Sequence, residues 1–284
     1  MSGHVERHLV VTADDFGADL AVNDAVEVAH REGVLTAASL MVSAPAAADA
    51  VARARRLPSL RVGLHLVLTE GVPTSPARDL DRLTGADGRF ASNMAAAGAV
   101  MFLSPRARRQ LADEITAQFE AFAATGLALD HVNAHKHFHL HPTIGGLMLR
   151  IGRRFGMKAA RLPREPAAIL RKVEPGTPWR SDPVVDAMIA LTRRRFARAG
   201  VVTPDQVFGL AWSGAMTAPR LEGLIAALPP GLSEIYLHPA AADLFAGSAT
   251  GYRYVDELAA LVDSGVKAAA TRTGLRRGGF GDFL

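Results

Sequence analysis

Apolar positions along this chain switch repeatedly between the period of a strand and the period of a helix. Leu9-Val10-Val11 is a short apolar run closed by Thr12-Ala13-Asp14-Asp15-Phe16-Gly17, and behind it Val22, Ala25, Val26 and Ala29 recur at helical spacing until Gly33. The same alternation predicts a strand over Leu35–Val42, a small Ala-rich helix over Pro45–Leu57, and a strand over Leu60–Leu68 that alternates Val62, Leu64 and Leu66 with Gly63, His65 and Val67. Glu70–Leu103 breaks the rhythm with Pro, Gly, Asp and Arg, then the apolar stretch Met94–Leu103, and reads as an inserted loop of about residues 69–104; connections this long are usually lids or binding loops. Ser104-Pro105 marks a helix start, with Leu111, Ile115, Phe119 and Phe122 on one face and Gly126 at its end. A strand over Leu129–Asn133 then runs into a histidine cluster. Further elements are a helix over Pro142–Phe155, a strand over Lys158–Leu162, an irregular Pro163–Ser181, a helix from Asp182-Pro183 through Ala199, and a strand over Val207–Leu210. The chain closes with a helix over Pro219–Leu228, a strand over Glu234–His238, a helix over Val255–Val262 and a final strand over Val266–Ala270. Seven or eight strand–helix units with polar residues at the strand ends suit a single α/β domain over 1–284, an irregular, TIM-like (β/α) barrel of about seven strands, with an open doubly wound sheet as the alternative.

Composition narrows the chemistry. Hydrophobic residues are 49% of the 284 and charged residues 21%, the balance of a folded globular chain. With no cysteine, neither a disulfide framework nor a thiolate metal site is available, so a metal must be held by histidine and carboxylate. The net charge of +4 comes almost wholly from arginine, lysine occurring only at positions 136, 158, 172 and 267. No basic stripe interleaved with aromatics accompanies it, which argues against a nucleic-acid partner. The polar Met1–Arg7 and the short apolar run behind it are too brief for a signal-peptide core or a membrane span, so the expected location is the cytoplasm.

The candidate chemistry gathers at strand ends. Asp14 and Asp15 leave the first strand as neighbours and can point different ways, one toward a metal and the other toward a water on it; a helix cap or an Asx turn is the competing reading. Five of the ten histidines, His131, His135, His137, His139 and His141, occupy odd positions of one stretch, and Pro142 limits how many share one strand face. With Asp15 and His65 this cluster offers the two-histidine, one-carboxylate set that leaves metal positions open for water and substrate. His238 ends a late strand and in a barrel faces the same mouth, or else caps a loop before Pro239. Arg161 closes the fifth strand within reach of Asp14. Gly-x-Gly-x-x-Gly and Walker signatures are absent, and Asp15-Phe16-Gly17 lacks the other motifs of a kinase.

Thr12–Gly17, Gly63-Leu64-His65-Leu66, Asn133–His139, Arg161-Leu162-Pro163 and Leu237-His238-Pro239, in order across almost the whole chain, resemble the YdjC-like carbohydrate deacetylases, the family that includes chitooligosaccharide deacetylase. The Asn-Ala-His-Lys-His-Phe-His-Leu-His-Pro wording and the Arg-rich tail are most similar to the hopanoid-biosynthesis-associated branch. The resemblance implies one divalent metal ion, zinc above magnesium, manganese or cobalt, on Asp15, His65 and His135, with Asp14 as general base, His238 as general acid, and Arg161, His137 and His139 supporting them or the substrate. Its implied substrate is an N-acetylglucosamine group on a hopanoid lipid; a soluble chitooligosaccharide is the alternative, and a non-catalytic metal- or sugar-binding barrel the alternative of another class. Family members tend to read Asp-Ser-His or Asp-Gly-His where this chain has Asn133-Ala134-His135, which bears on the hydrogen bonding behind the ligand. Met94, Val100, Met101, Phe102 and Leu103, with the tail Thr271–Leu284, are expected to handle a lipid-linked substrate at the inner face of a membrane; packing onto the barrel, fraying or a homo-oligomer contact is the competing expectation.

Overall fold

The strand at the centre of the sheet is the one whose sequence is most continuously apolar. In the computed structural model, which describes residues 6–179, 182–272 and 274–284, Leu9, Val10, Val11 and Ala13 of β1 (Arg7–Phe16) have no exposed surface, as expected of a strand covered on both faces. Parallel neighbours flank it, β6 (Gly231–Leu237) along Arg7–Ala13 on one side and β2 (Ala37–Leu40) on the other. With β3 (Arg61–Leu66), β4 (Val132–Ala134) and β5 (Gln206–Phe208), the order is β4-β3-β2-β1-β6-β5. Between β4 and β5 the predicted strand Lys158–Leu162 is reduced to single bridges, Ala160 to Val132 and Ala159 to Val202, while Val207 N donates to the Arg164 carbonyl at 2.9 Å. Pro163 cannot donate to a ladder, so this stave stays irregular. These bridges curl the sheet into an irregular (β/α) barrel.

Helices α1 (Leu20–Glu32), α2 (Ala47–Arg56), α4 (Pro105–Ala124), α5 (Pro142–Gly152), α7 (Pro183–Arg198), α8 (Ala218–Ala227) and α9 (Tyr254–Val262) fall where the 3.6-residue pattern places them. Four further expectations are corrected. Val266–Ala270 is not a strand but lies in the helix α10 (Ser264–Ala270), because Asp263 caps it by accepting from Val266 N at 3.0 Å and alanine favours the helix. The insertion is not all loop: Met94–Leu103 forms α3, its start capped by Asn93 accepting from Ala96 N, and a short α6 (Ala167–Val173) interrupts Pro163–Ser181, of which Arg180 and Ser181 lie outside the described residues. The tail is docked rather than hinged: β7 (Leu275–Arg277) pairs with Arg7–Leu9 beneath β2, and Phe280 is fully buried, although Thr273 and Met1–Val5 also lie outside the described residues.

Inside the barrel the side chains change character along its axis. At the amino end Val10, Ala37, Ala159 and Leu232 pack on Phe280, an apolar plug supplied by the tail. One residue pair further along, Thr12, Ser39 and Glu234 replace them, and then Asp14, His65, Asn133 and Tyr236. Strand alternation thus sends every second residue into a column that turns from apolar to charged toward the carboxyl ends, the end where barrel sites are built.

Candidate metal and catalytic site

Two adjacent aspartates on a regular strand would face opposite sides of the sheet. Here the register against β2 moves from Ala13↔Ala38 to Phe16↔Leu40, three residues of β1 against two of β2, and Asp15 adopts φ 61°. The extra residue is a bulge that swings Asp15 back, so both carboxylates reach the cleft. Gly17, at φ 95°, then takes the left-handed turn into α1, its N–H held by the Asn23 side chain at 2.8 Å.

Asp15 Oδ1 lies 3.3 Å from His65 Nε2 and 3.1 Å from His135 Nδ1, and the ligand atoms of the three residues all fall within 4.8 Å of one another. The protonation of His65 follows from its neighbours. Asp14 is gripped by Arg161 and accepts from Asn133 Nδ2 at 3.0 Å, so the amide nitrogen of Asn133 faces Asp14 and its oxygen faces His65 Nδ1, 2.6 Å away. His65 therefore donates from Nδ1 and turns a lone pair from Nε2 toward Asp15, where this buried nitrogen makes no hydrogen bond. A lone pair aimed at a carboxylate in a buried setting calls for a cation between them. Two imidazole nitrogens and one carboxylate oxygen fit a divalent ion with positions left for water and substrate. Burial opposes ionisation of Asp15, yet His135 holds it well below the usual carboxylate range, so its oxygen is charged.

Arg161 is fully buried and reaches Asp14, as its position predicts, but it also pairs with a second carboxylate. Its Nη2 donates to Asp14 Oδ1 at 3.0 Å and to Glu234 Oε1 at 2.7 Å, and its guanidinium carbon lies 4.3 Å from the centre of the Tyr236 ring. Thr12 Oγ1 adds a bond to Glu234 at 2.8 Å. Burial pushes the Asp14 carboxyl up, but Arg161 overcompensates and holds it well below the usual range. His139 lines neither of the two cavities below; it donates from Nε2 to the Arg161 carbonyl at 2.8 Å, and burial pushes it down to about 4, so it is a neutral support for the arginine backbone. His137 does face the cleft, with Nε2 3.0 Å from Tyr236 Oη, and burial, with Arg161 adding, holds it well below the usual imidazole range. His238 stands on the cleft wall with its ring edge-on to Tyr236 and Tyr252 at 5.6 and 5.2 Å, its backbone N–H fixed by the buried Glu257 carboxylate.

The cleft has two unlike lobes that share Asp14, Asp15, His135 and His238. One, about 290 Å³, is walled by Val22, Met41, Val42, Val67, Val72 and Phe245; the other, about 660 Å³, by Trp179, Leu210, Ser213, Tyr236, Tyr252 and Lys136. Lys136 and His137 both sit at positive φ, as does Glu70 opposite, and the Lys136–Glu70 ion pair ties the histidine loop to the insertion at the wall of the larger lobe. Neither α3 nor the tail lines either lobe. Val100, Phe102 and Leu103 are exposed while Met101 is buried, and the tail sits at the opposite end of β1 from the cleft. Glu234 and Tyr236 were legible in principle, since they precede His238 at a spacing of two on a strand; Ser39 and Trp179 carry no such signal.

Residues 8–272 match the family model described as YdjC-like protein. The chain is 31% identical over 273 residues, 95% of each sequence, to a carbohydrate deacetylase of Geobacillus stearothermophilus. It is 40% identical to one of Brevibacillus brevis over 147 residues, 52% of this chain and 56% of that relative, so several curated relatives are matched over about half their length. A crystal structure from Enterococcus faecalis V583, named for cellobiose-phosphate cleavage, has a TM-score of 0.77 at 21% identity over 98% of this chain and 99% of that one, which concerns the fold alone. The matched span covers the bulged aspartates, the histidine loop and His238 together, and on it the chain belongs to the YdjC-like family.

Proposed function

We propose that this protein is a metal-dependent carbohydrate N-deacetylase that hydrolyses the acetamide of an N-acetylglucosamine group. The observation that carries the reading is the buried, unpartnered His65 Nε2 converging with Asp15 and His135 beside an ionised Asp14, with His238 across the same cleft. An amide resists water because its carbonyl is a weak electrophile and its amine a poor leaving group. A divalent ion on Asp15, His65 and His135 would polarise the carbonyl and bring the pKa of a bound water toward ~7. Asp14 takes a proton from the attacking water as its oxygen bonds to the amide carbon, and Arg161 keeps that carboxylate ionised and aimed. His238 gives a proton to the nitrogen as the C–N bond breaks, releasing acetate and a free amine. Trp179, Tyr252 and Tyr254 offer the faces on which a sugar ring packs.

Within this class the favoured substrate is a hopanoid lipid carrying the sugar, and the supporting observation is the apolar lobe beside the triad, which an acetyl methyl alone does not fill. Phe102 and Leu103 on α3 lie outside the cleft and are proposed as a peripheral membrane contact. The Brevibacillus and Geobacillus relatives, named carbohydrate deacetylases, support the coarser reading, and a soluble chitooligosaccharide remains the second substrate. A non-catalytic sugar-binding barrel has no use for an ionised Asp14 held by a buried arginine. The test is to incubate metal-loaded protein with N-acetylglucosaminyl hopanoid and with chitooligosaccharides and follow loss of one acetyl group by mass. Turnover of the lipid alone or in clear preference supports the reading; turnover only of the soluble sugar overturns the lipid part, and none of either overturns the whole.

A further inference from the structure

A line of hydrogen bonds runs through the barrel from the docked tail to the candidate metal ligand, and each proton in it can be placed. Asn133 donates from Nδ2 to Asp14, and its second Nδ2 hydrogen goes to Ser39 Oγ at 2.9 Å. Having accepted there, Ser39 turns its own hydrogen toward His131 Nε2, 3.0 Å away. His131 thus accepts at Nε2 and donates from Nδ1 to Asp130 Oδ2 at 2.9 Å, and Asp130 also receives Phe280 N at 3.1 Å and Gly281 N at 2.8 Å. Ser39, His131 and Asn133 have no exposed surface. The His131 ring is clamped between the Phe280 ring, 4.6 Å away, and Gly63, where any Cβ would stand 2.5 Å from the imidazole. The sequence pattern explains the line: Asn133 in β4 and His131, the residue just before that strand, are two apart and turn inward together, and Ser39 and Gly63 pair across the next two strands.

We propose that Ser39, His131 and Asp130 are positioning residues whose hydrogen-bond line fixes the amide of Asn133, and through it presents Nε2 of His65 to the metal and holds Asp14 in place. Asn133 can satisfy Asp14 and His65 only in one amide orientation, and Ser39 is the third partner that this orientation requires. Were the amide reversed, its oxygen would face the Asp14 carboxylate and its nitrogen would compete with the His65 proton. The proposal rests on the metal reading of the triad, and the histidine ring of the line is a Ser–His–Asp arrangement with no access for a substrate, so it acts on geometry rather than as a nucleophile.

Two measurements test it. In zinc-loaded wild type, long-range ¹H–¹⁵N spectra of the imidazoles should show the proton on Nδ1 of both His65 and His131; a proton on Nε2 of either ring overturns the proposal without any variant. Zinc affinity by chelator competition should weaken roughly 10- to 100-fold in Asn133→Ala, the range for partners behind a metal ligand. Ser39→Ala should weaken it in the same direction by less, and should add nothing in the Asn133→Ala background, because its effect passes through that amide. An equal loss from Ser39→Ala in both backgrounds, or none in the wild type, overturns the positioning role while leaving the metal centre intact. A wild type that takes up no divalent ion overturns the metal reading and this proposal with it.

Discussion

Asp14 has to be ionised to take a proton and yet lies in a buried pocket, and Arg161 resolves the conflict at the expense of basicity. Since Arg161 neutralises Asp14 and Glu234 at once, Arg161→Met should destabilise the protein by about 3–5 kcal/mol in chemical denaturation, the cost of leaving buried carboxylates without their partner. Asp14→Asn should retain the metal and lose about 100- to 10,000-fold in deacetylation, whereas His65→Ala and His135→Ala should lose metal and activity together; metal content and acetate release on purified variants separate these cases. Near-normal turnover in Asp14→Asn would refute the base assignment. The acid side of the pH profile follows from the same geometry. Asp14 is held well below the usual carboxylate range, so its protonation comes too late to set that limb. Burial disfavours charge on His135, but Asp15 outweighs it and raises the ring above 6.5 when no metal is bound. Metal binding needs the neutral ring, so protons compete with the metal and affinity should rise with pH through the raised pKa. Activity should fall on the acid side as metal is released, an effect that added metal shifts to lower pH. His137, held neutral by burial, is a poor substitute for the acid, so His238→Ala should cost at least about tenfold in kcat.

At the scale of elements, the strands and helices that a periodic pattern determines were legible, and those that depend on pairing were not. Val22, Ala25, Val26 and Ala29 gave α1 directly, and Ser104-Pro105 gave the start of α4. Val266–Ala270 misled because a short apolar run fits either period, and only the Asp263 cap decides it. The insertion is held by a face of α4 that no periodicity announces. Gln110 accepts from Arg82 N, Glu114 from Thr74 N and Ser75 N, and Gln118 brackets Val67 by both its N–H and its carbonyl, three residues at a spacing of four. Glu165 does the same for the loop after β5, its carboxylate receiving Gly209, Leu210 and Ala211 N–H, which places Leu210 in the cleft. Burial pushes Glu165 from 4.5 up to about 7 despite those donors. Between those values the folded state binds this proton more tightly than the unfolded one, so the stability that Glu165 itself contributes is full below 4.5 and is lost as pH rises toward 7, on the order of 3 kcal/mol. Denaturation midpoints from pH 4.5 to 7.5 should carry this slope in wild type and lack it in Glu165→Gln. For α3, Phe102→Ser with Leu103→Ser should weaken binding to anionic liposomes and turnover of a lipid-linked sugar while sparing a soluble one; equal effects on both substrates would assign α3 to the fold alone.

Across the whole molecule, the barrel and the identity of the clustered residues were legible because a (β/α) pattern sends strand ends to one mouth. The bulge that brings in Asp15, and the partner of His131, depend on contacts far apart in the chain. The histidines at odd positions illustrate the limit: 135 and 137 reach the cleft, 139 braces Arg161, and 131 faces the barrel's interior, each fate set by where the strand stops. The Arg-rich tail, expected to handle a lipid-linked substrate together with Met94–Leu103, forms the floor of the barrel. Phe280 seals Val10, Ala37, Ala159 and Leu232, and Arg61 pairs with Asp282 at 2.6 Å. A floor supports whatever substrate is bound above it. Phe280→Ala should therefore cost about 3–5 kcal/mol by calorimetry or denaturant, the range for emptying a buried aromatic site. Deleting Gly274–Leu284 should lower stability further, because the Asp130 carboxylate loses two backbone donors along with the plug. Turnover of soluble and lipid-linked substrates should then drop in the same proportion, measured at a temperature where the variant stays folded. A loss confined to the lipid substrate would return the tail to the membrane role that its composition first suggested.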